Sequence, residues 1–302
     1  MDTESQTTEQ GVLERYAEAS EAVQPSLCCA VSYDPRYMKA IPQEIIDKDY
    51  GCGDPSQYVQ AGDVVLDLGS GSGKICYIAS QIVGEKGRVI GDDFNPPMLD
   101  LARKHQNAIA TTIGWDNVDF RYGKIQDLQT DYDKLDAWLK ANPISNIQEL
   151  AAFEQNKQKL GEDTPLIASN SVDVIVSNCV LNLVQTCDKG QMFSEMYRVL
   201  KAGGRAAISD IVSDVEVPQH MRDDPELWSG CISGAFQEQA FLQAFKDAGF
   251  EAVEIEKRDE EPWQVVEGIE FRSVTVIADK DAGSDTKRAA VPRKKQPRSG
   301  CC

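Results

Sequence analysis

The stretch Val64-Val65-Leu66-Asp67-Leu68-Gly69-Ser70-Gly71-Ser72-Gly73 decides the fold of this chain. It is a short, almost continuously apolar run, followed at once by glycines at alternate positions. Such a run is typical of a parallel strand that is buried on both faces of a sheet. Glycines after a strand allow a tight turn and a close approach of the backbone to a ligand. The stretch therefore predicts the first strand and the ligand-binding loop of an open α/β sheet.

The alternation of strand and helix patterns continues along the chain. Further strands are predicted at 88–91, 118–122, 172–176, 205–211, 252–256 and 273–278. Helices are predicted at 74–83, 95–109, 188–200 and 238–248, and the apolar spacing within 130–169 indicates a helical insertion. This order predicts a doubly wound α/β fold, in which a seven-stranded, mostly parallel sheet has helices on both faces.

Other segments flank the predicted central domain, which spans 61–212. Residues 1–60 form an N-terminal segment with two short helical patterns, at 12–22 and 42–48. Residues 213–283 carry the last strands and a region that could cover the carboxyl edge of the sheet. Residues 284–302 are rich in Lys, Arg, Pro, Ser and Gly, which predicts a disordered basic tail.

The charge of the chain restricts its partners. The formal net charge of −18 over 302 residues argues against a nucleic acid held through its phosphates. No apolar run reaches the ~18 residues that a membrane span needs, and the acidic N-terminus lacks the pattern of a secretion signal. We therefore expect a cytoplasmic monomer that binds neither nucleic acid nor membranes.

The cysteines call for an explanation other than disulfides or zinc. A structural disulfide framework is not expected in a cytosolic chain of this length. No Cys-x-x-Cys pair occurs and there are only two histidines, so no zinc site of the usual spacing is visible, and no metal cofactor is expected.

Three cysteines are predicted to meet at one edge of the sheet. Cys179 directly follows a predicted strand, and ligands bind at the carboxyl ends of such strands. Cys52 and Cys231 come from segments that could cover this opening. Each alone is more often a small buried apolar residue. Together with Cys28-Cys29 they favour a soft, thiophilic acceptor, because thiolates prefer soft centres.

Two acidic residues accompany the glycine loop. Asp67 lies at the end of the first strand, and Asp93 ends the second strand about 20 residues after the loop, where a carboxylate can accept hydrogen bonds from a ribose. A loop that binds a pyrophosphate typically has the spacing Gly-x-Gly-x-x-Gly. The spacing here is Gly-x-Gly-x-Gly, so a pyrophosphate site is less expected. A nicotinamide-binding domain is the alternative interpretation of this loop.

Successive motifs resemble those of class I S-adenosylmethionine-dependent methyltransferases. They are residues 65–73, Gly91-Asp92-Asp93 and Leu200-Lys201-Ala202-Gly203-Gly204. The resemblance implies that Asp93 holds the ribose hydroxyls and Asp67 the methionyl amino group, although Asp92 is an alternative partner for the ribose. It places Ile125 or Gln126 beside the adenine. The other implied cofactor-binding residues are Gly69, Ser70, Gly71, Gly73, Phe94 and Asn178.

The cysteine motifs resemble one family within that class, the arsenite methyltransferases, from about Gln24 to Phe250. The matching motifs are Cys28-Cys29, Tyr50-Gly51-Cys52-Gly53, Cys76-Tyr77, Val83-Gly84-Glu85, Ser177-Asn178-Cys179-Val180-Leu181-Asn182-Leu183, Arg198-Val199-Leu200-Lys201 and Cys231-Ile232-Ser233-Gly234-Ala235. The resemblance implies that Cys52, Cys179 and Cys231 bind As(III), with assistance from Cys28 or Cys29. It further implies S-adenosyl-L-methionine as the methyl donor and arsenite and methylarsenite as substrates.

The resemblance also sets expectations for the reductant and the remaining cysteines. Thiols that are oxidised during turnover would need glutathione or thioredoxin to restore them. Cys76 is expected to pack beside the cofactor, and no ligand role is expected for Cys187 or for Cys301-Cys302. The insertion at 130–169 is long for the family and could reshape the rim of the acceptor site.

Two other functions remain open at the level of sequence. The same fold could methylate a small organic molecule, with the cysteines merely packed in its core. Alternatively, the chain could be a metalloid-binding protein that captures As(III) through its thiols without turning it over. An intact cofactor loop counts against the second alternative.

Overall fold

A computed structural model describes residues 3–24, 27 and 31–281 of the chain. Cys28, Cys29, Cys301-Cys302 and the predicted basic tail lie outside these residues. The strands of the described part are β1 (Val64–Leu68), β2 (Arg88–Asp93), β3 (Val118–Tyr122), β4 (Val172–Asn178), β5 (Leu200–Ser213), β6 (Phe236–Gln237), β7 (Ala252–Arg258), β8 (Gln264–Val266) and β9 (Ile269–Asp279).

These strands form one sheet with the order β3-β2-β1-β4-β5-β9-β7. Strands β1 to β5 pair with one another in parallel, whereas β9 runs antiparallel to β5 and β7 runs antiparallel to β9. The predicted α/β class is confirmed. The predicted count of seven strands is too low, because β6 pairs with the end of β5 and β8 pairs with β9. Both are too short, at two and three residues, to show an alternating pattern in the sequence.

The helices cover both faces of the sheet. They are α1 (Thr3–Glu21), α2 (Pro35–Met38), α3 (Gln43–Asp47), α4 (Lys74–Val83), α5 (Pro96–Ile113), α6 (Tyr132–Ala141), α7 (Ile147–Asp163), α8 (Lys189–Val199), α9 (Gln219–Arg222), α10 (Pro225–Ser229) and α11 (Glu238–Asp247). Helix α1 begins earlier than predicted. The helix predicted at 188–200 ends at Val199, since Leu200 is already extended and pairs with Val172.

Two apolar layers lie on opposite sides of the sheet. Successive side chains of a strand point to opposite faces, so Val65 and Leu66 of β1 enter different cores. Leu66 packs in a cluster with side chains of α8 and α11. Val65 packs in a cluster with side chains of α4 and α5. Because both faces of β1 are buried, its sequence is almost continuously apolar.

The strand order places the ligand-binding edge between β1 and β4. The chain proceeds from β1 outward to β2 and β3, and then returns to the other side of β1 as β4. Such a reversal leaves a crevice at the carboxyl ends of the two central strands. Ser177 of β4 donates its hydroxyl hydrogen to the carbonyl of Leu68, at 2.9 Å, and so joins the two strand ends. The glycine loop and Cys179 therefore face the same crevice.

Helices α6 and α7 lie within the segment predicted as an insertion. Asp131 and Asn146 cap their N-termini by accepting hydrogen bonds from Lys134 and Glu149. Tyr132 packs against Phe94, with 5.1 Å between ring centroids, and so ties the insertion to the end of β2. The division into an N-terminal segment, a central domain and a C-terminal region stays a prediction. Within the described residues, no helix combines the length and the apolar character that a membrane crossing requires.

Replacing Phe193 tests the packing beneath the sheet. Phe193 of α8 is 1% exposed, and its ring meets that of Phe245 edge to face, with 4.7 Å between centroids. We expect Phe193→Ala to lower the free energy of unfolding by about 3–5 kcal/mol, because it leaves a cavity in a close-packed core. Urea denaturation of the oxidised protein measures this change. Ile147→Ala, at a position that is 69% exposed, is the control, with an expected change within about 0.5 kcal/mol. An equal decrease of the free energy of unfolding in both variants would contradict the assignment of Phe193 to the core.

Candidate active site

A cavity lies at the crevice between β1 and β4. Most of the residues predicted to bind a cofactor line it, although they come from different parts of the chain. They are Asp67, Gly69, Ser70, Gly71, Asp93, Phe94, Ile125, Gln126 and Asn178. The backbone φ angles of Gly69 and Gly71 are +68° and +51°, a region that favours glycine and brings the main chain against the cavity.

Gly73 is absent from the wall of this cavity. It is the N-cap of α4, with a φ of +87°, and a Cβ at this position would lie 2.8 Å from the ring of Phe120. The third glycine therefore serves the start of the helix and its packing. The prediction that it contacts the cofactor directly finds no support in the geometry.

The two neighbouring acids at the end of β2 have different environments. Asp93 lines the cavity, and its two carboxylate oxygens accept hydrogen bonds from the amides of Gly71 and Asn95, both at 2.8 Å. Asp92 is fully buried, and neither of its carboxylate oxygens has a hydrogen-bond partner in the described part of the chain. Burial raises the pKa of Asp92 well above its usual value. Of the two, only Asp93 is placed to meet a ligand.

Asp67 lines the cavity and is hydrogen-bonded to a buried thiol. The Sγ of Cys76 donates a hydrogen bond to Oδ2 of Asp67 at 3.2 Å. Burial raises the pKa of Asp67 to about 7, against the opposing effect of that hydrogen bond. Cys76 is fully buried on α4, as expected from its position after the loop.

The amide side chain of Asn178 positions the loop that carries Cys52. Its Oδ1 accepts hydrogen bonds from the backbone amides of Cys52 and Gly53, at 2.9 and 3.0 Å, and its Nδ2 donates to the carbonyl of Gly53 at 2.8 Å. A Cβ on Gly51 would lie 1.9 Å from Nδ2 of Asn178. Ser273 of β9 donates to the carbonyl of Cys52 at 2.8 Å. The loop is therefore held from both sides, and the glycine allows the close approach.

Cys179 and Cys231 both adopt a left-handed backbone conformation. Each has a φ of +62°, which is uncommon for a residue with a Cβ. The amide of Cys179 donates to the carbonyl of Ser209 at 2.8 Å, and the Sγ of Cys231 donates to the carbonyl of Cys179 at 3.2 Å. Such strain is maintained only where the surrounding structure holds the residue in place. The structure thus brings Cys52, Cys179 and Cys231 into one buried cluster.

Cys52 and Cys179 are joined by a disulfide bond, with 5.8 Å between their Cα atoms. This differs from the expectation of a chain without structural disulfides and with three free thiols. Cys231 is the third, buried member of the same cluster. In this form, two of the three sulfur atoms are bonded to each other, so the three cysteines do not present three thiolates. Their proximity explains the bond, since the two Cα atoms lie within the usual range for a disulfide.

Buried polar groups hold the loops around Cys179 and Cys231. Asp210 of β5 accepts hydrogen bonds from the amide of Leu181 at 2.9 Å and from Nδ2 of Asn182 at 2.8 Å. Burial raises the pKa of Asp210 to about 6. A Cβ on Gly234 would lie 2.0 Å from the carbonyl oxygen of Asn182, so the Cys231 loop also needs its glycine.

Helix α1 supplies a wall of the cavity that the sequence did not indicate. Glu9, Val12, Leu13 and Tyr16 line the cavity. Their spacing is that of one face of a helix, and this is the signal that could have identified them. The hydroxyl of Tyr16 lies 3.8 Å from Sγ of Cys231, so this helix reaches from the cofactor loop to the cysteine cluster.

Comparisons with known proteins agree with this geometry. A family model described as a methyltransferase domain matches residues 60–168 and 152–249. The arsenite methyltransferase of Halobacterium salinarum is 34% identical over 254 residues, which cover 83% of this chain and 52% of that protein. The arsenite methyltransferase of Aquipseudomonas alcaligenes is 34% identical over 235 residues, which cover 76% of this chain and 58% of that protein. The chain thus spans little more than half the length of these two curated relatives.

A solved structure is similar over most of both chains. It is the crystal structure of an arsenic(III) S-adenosylmethionine methyltransferase from Chlamydomonas reinhardtii. The sequences are 30% identical, the TM-score is 0.64, and the match covers 83% of this chain and 76% of that chain. Fold and sequence therefore indicate the same family.

Replacing Gly51 tests how the Cys52 loop is held. Gly51→Ala places a methyl group on the amide of Asn178, so we expect this side chain to move and the free energy of unfolding to fall by about 1–3 kcal/mol. The fraction of the Cys52–Cys179 disulfide, measured by mass spectrometry in a fixed glutathione redox buffer, should fall as well. The control is Gly190→Ala in α8, where a Cβ has open space and should stabilise the helix by roughly 0.5–1 kcal/mol. An unchanged disulfide fraction in Gly51→Ala would show that Asn178 does not position Cys52.

Proposed function

Since the chain belongs to the arsenite methyltransferase family, within the class I methyltransferases, we propose that it transfers methyl groups from S-adenosyl-L-methionine to trivalent arsenic. The substrates are arsenite and methylarsenite, and the products are methyl- and dimethylarsenicals. One observation carries this proposal: Cys52, Cys179 and Cys231 form one cluster, and Cys179 of that cluster stands in the wall of the cofactor cavity.

The residues around the cavity fit this cofactor. Asp93 faces the cavity at the end of β2, where its carboxylate would accept hydrogen bonds from the ribose hydroxyls. Asp67 would receive the methionyl ammonium group, and the backbone of Gly69 and Gly71 leaves room for the ligand. Ile125 and Gln126 lie in the same wall and would flank the adenine. When bound, the cofactor supplies an electrophilic methyl group on a sulfonium.

The cysteines would present arsenic to that methyl group. In the reduced protein, Cys52, Cys179 and Cys231 would offer three thiolates, which are suitable ligands for a soft centre. Three sulfur ligands leave As(III) pyramidal, and its lone pair is then free to attack in line. This displacement needs positioning and the exclusion of water more than it needs a general base. The burial of all three side chains, at 4–5% exposure, supports such a role.

A thiol reductant would convert the disulfide form into the binding form. A thiolate attacks one sulfur of the Cys52–Cys179 bond, which forms a mixed disulfide and releases the other cysteine as a thiolate. A second thiol then attacks the mixed disulfide, so that the reductant leaves as its own disulfide and both cysteines are free. We propose glutathione or thioredoxin as this two-electron donor. One of Cys28 and Cys29 would assist in arsenic binding.

A methylation assay with single cysteine variants tests this function. Reduced protein is incubated with arsenite and S-adenosyl-L-methionine, and methylarsenicals are quantified by chromatography with mass detection. We expect Cys179→Ser and Cys231→Ser to lose activity by about 100-fold or more, because one missing ligand misplaces the arsenic. Cys187→Ser is the matched control and should retain activity, since Cys187 is exposed and lies outside the cluster.

The results separate the three candidate functions. No methylarsenicals from the wild-type protein in the presence of a thiol would refute arsenic methylation. Stoichiometric As(III) binding without turnover would instead identify a metalloid-binding protein. Normal turnover by both Cys179→Ser and Cys231→Ser would show that the ligand assignment is wrong.

The pH dependence of cofactor binding tests the role of Asp67. Because burial raises its pKa to about 7, this carboxyl is mostly protonated below that pH in the free protein. The ammonium group of the ligand requires the carboxylate, so affinity should fall as the pH decreases through 7, by up to about tenfold per pH unit. Calorimetry with S-adenosylhomocysteine measures this between about pH 5.5 and 7.5. Asp67→Asn should bind more weakly at the upper pH and lose the dependence; the same slope in that variant would assign it to another group.

A further inference from the structure

A second cleft lies against the loop that carries Cys231. It shares no lining residue with the cofactor cavity. Ser233 and Gly234 of the Cys231 loop form one side, and Lys189 and Arg222 form another. The proposed methylation reaction uses none of these side chains, so their arrangement requires a separate explanation.

Lys189 brings a buried positive charge to this cleft. The residue is 7% exposed, and its Nζ donates to the carbonyl of Gly234 and lies 4.2 Å from the ring centroid of Phe236. Its pKa is lowered to about 8, first by burial and further by the charge of Arg222, against the opposing effect of Asp210. Within residues 3–24, 27 and 31–281, this ammonium forms no ion pair with a carboxylate. A buried charge of this kind is costly unless a counterion is supplied.

A buried hydroxyl and a second cation accompany Lys189. Ser233 is fully buried, and its Oγ has no hydrogen-bond partner in the described part of the chain. The large majority of buried side-chain polar atoms are paired in native proteins, so this unpaired hydroxyl is a candidate partner for a ligand. Arg222 pairs with Glu216 at 3.3 Å, but the side chain of Glu216 is 82% exposed and the pair is weak.

Two residues at or just before the start of helix α8 belong to the lining of the same cleft. The helix has 11 residues, begins at Lys189 and has no side-chain cap. Thr186, one turn earlier, also lines the cleft. Backbone amides at such an end, together with the helix dipole, favour a negative charge. Two cations, one carboxylate and an unpaired hydroxyl thus line one cleft in a chain whose net charge is −18, and the carboxylate, Glu216, is the partner of Arg222.

We propose that this cleft binds a small oxyanion, either a free inorganic anion such as phosphate or the carboxylate of a small organic molecule. Lys189 and Arg222 supply the charge, and the hydroxyl of Ser233 donates a hydrogen bond. The anion relieves the repulsion between the two cations and gives Lys189 a directly paired counterion. Through Ser233 and Gly234, its binding also stiffens the loop that presents Cys231. The site does not depend on the proposed methylation, because it requires neither the cofactor nor arsenic.

Calorimetric titration of the full-length protein tests this site. The probes are sodium phosphate and S-methylglutathione, which carries carboxylates but no thiol that could reduce the disulfide, and sodium chloride at equal ionic strength is the reference. We expect saturable binding of at least one probe. Lys189→Met and Arg222→Met should each weaken it by roughly tenfold or more, and Ser233→Ala by less. Lys140→Met, which removes a 76% exposed lysine of α6, is the charge-matched control and should bind like the wild type.

The probes also identify the source of the oxyanion. Binding of phosphate alone indicates an inorganic anion, and binding of S-methylglutathione alone indicates an organic carboxylate. Absence of saturable binding by both probes overturns the proposal, as does equal affinity in Lys189→Met and Arg222→Met. The circular dichroism spectrum of each variant confirms that it is folded, and since the two variants alter different elements, a folding defect in one leaves the other to decide.

Discussion

The hydrogen bonds of Asn178 are the constraint on which the cluster of Cys52, Cys179 and Cys231 depends. They connect the end of the central strand β4 to the backbone of Cys52, a residue 126 positions earlier in the chain. Because the amide group donates and accepts at once, it fixes both the position and the direction of that loop. The backbone of Cys52 is therefore held at its amide by Asn178 and at its carbonyl by Ser273. Only with this anchor does Cys52 stand opposite Cys179.

The cluster holds a disulfide in this structure, and the proposed arsenic binding would use its reduced state. A disulfide and a pair of thiolates that share one soft atom both require two sulfur atoms at close range, which the anchored backbone provides. The Sγ of Cys231 donates to the carbonyl of Cys179. Asp210 holds the turn that follows Cys179 by accepting a hydrogen bond from the amide of Leu181. The strained backbone at Cys179 and Cys231 shows that tertiary contacts, and not local preference, keep the sulfur atoms together.

Elements outside the central sheet complete the cavity. Apolar side chains of helix α1 line the cavity, and the hydroxyl of Tyr16 on this helix contacts Sγ of Cys231. The side chain of Asn95 donates to the carbonyl of Leu13 at 2.9 Å and so attaches this helix to the start of α5. On another side, Tyr132 of the insertion supports Phe94, which lines the cavity. The sheet thus positions Asp67, Asp93 and Cys179, and the added helices complete or support the wall of the cavity.

The sequence by itself determined the sheet, the glycine loop and the acids beside it, because these features are local. A strand buried on both faces must be apolar, and the turn after it must contain glycine, so both are visible in a few consecutive residues. Asp67 and Asp93 could be located in the same way, as residues at strand ends. The cysteines could be selected by their chemistry and by their position relative to the strands.

Tertiary structure alone decided which neighbours face each other. It separated Asp93 from Asp92, because successive residues of a strand point in opposite directions and only one of them meets the cavity. It assigned Gly73 to helix packing, added α1 to the site, and joined Cys52 to Cys179. These outcomes depend on contacts between residues far apart in the chain, such as those of Asn178 with the Cys52 loop. No local pattern encodes such a contact, since its free energy exists only when the rest of the fold holds both partners in place.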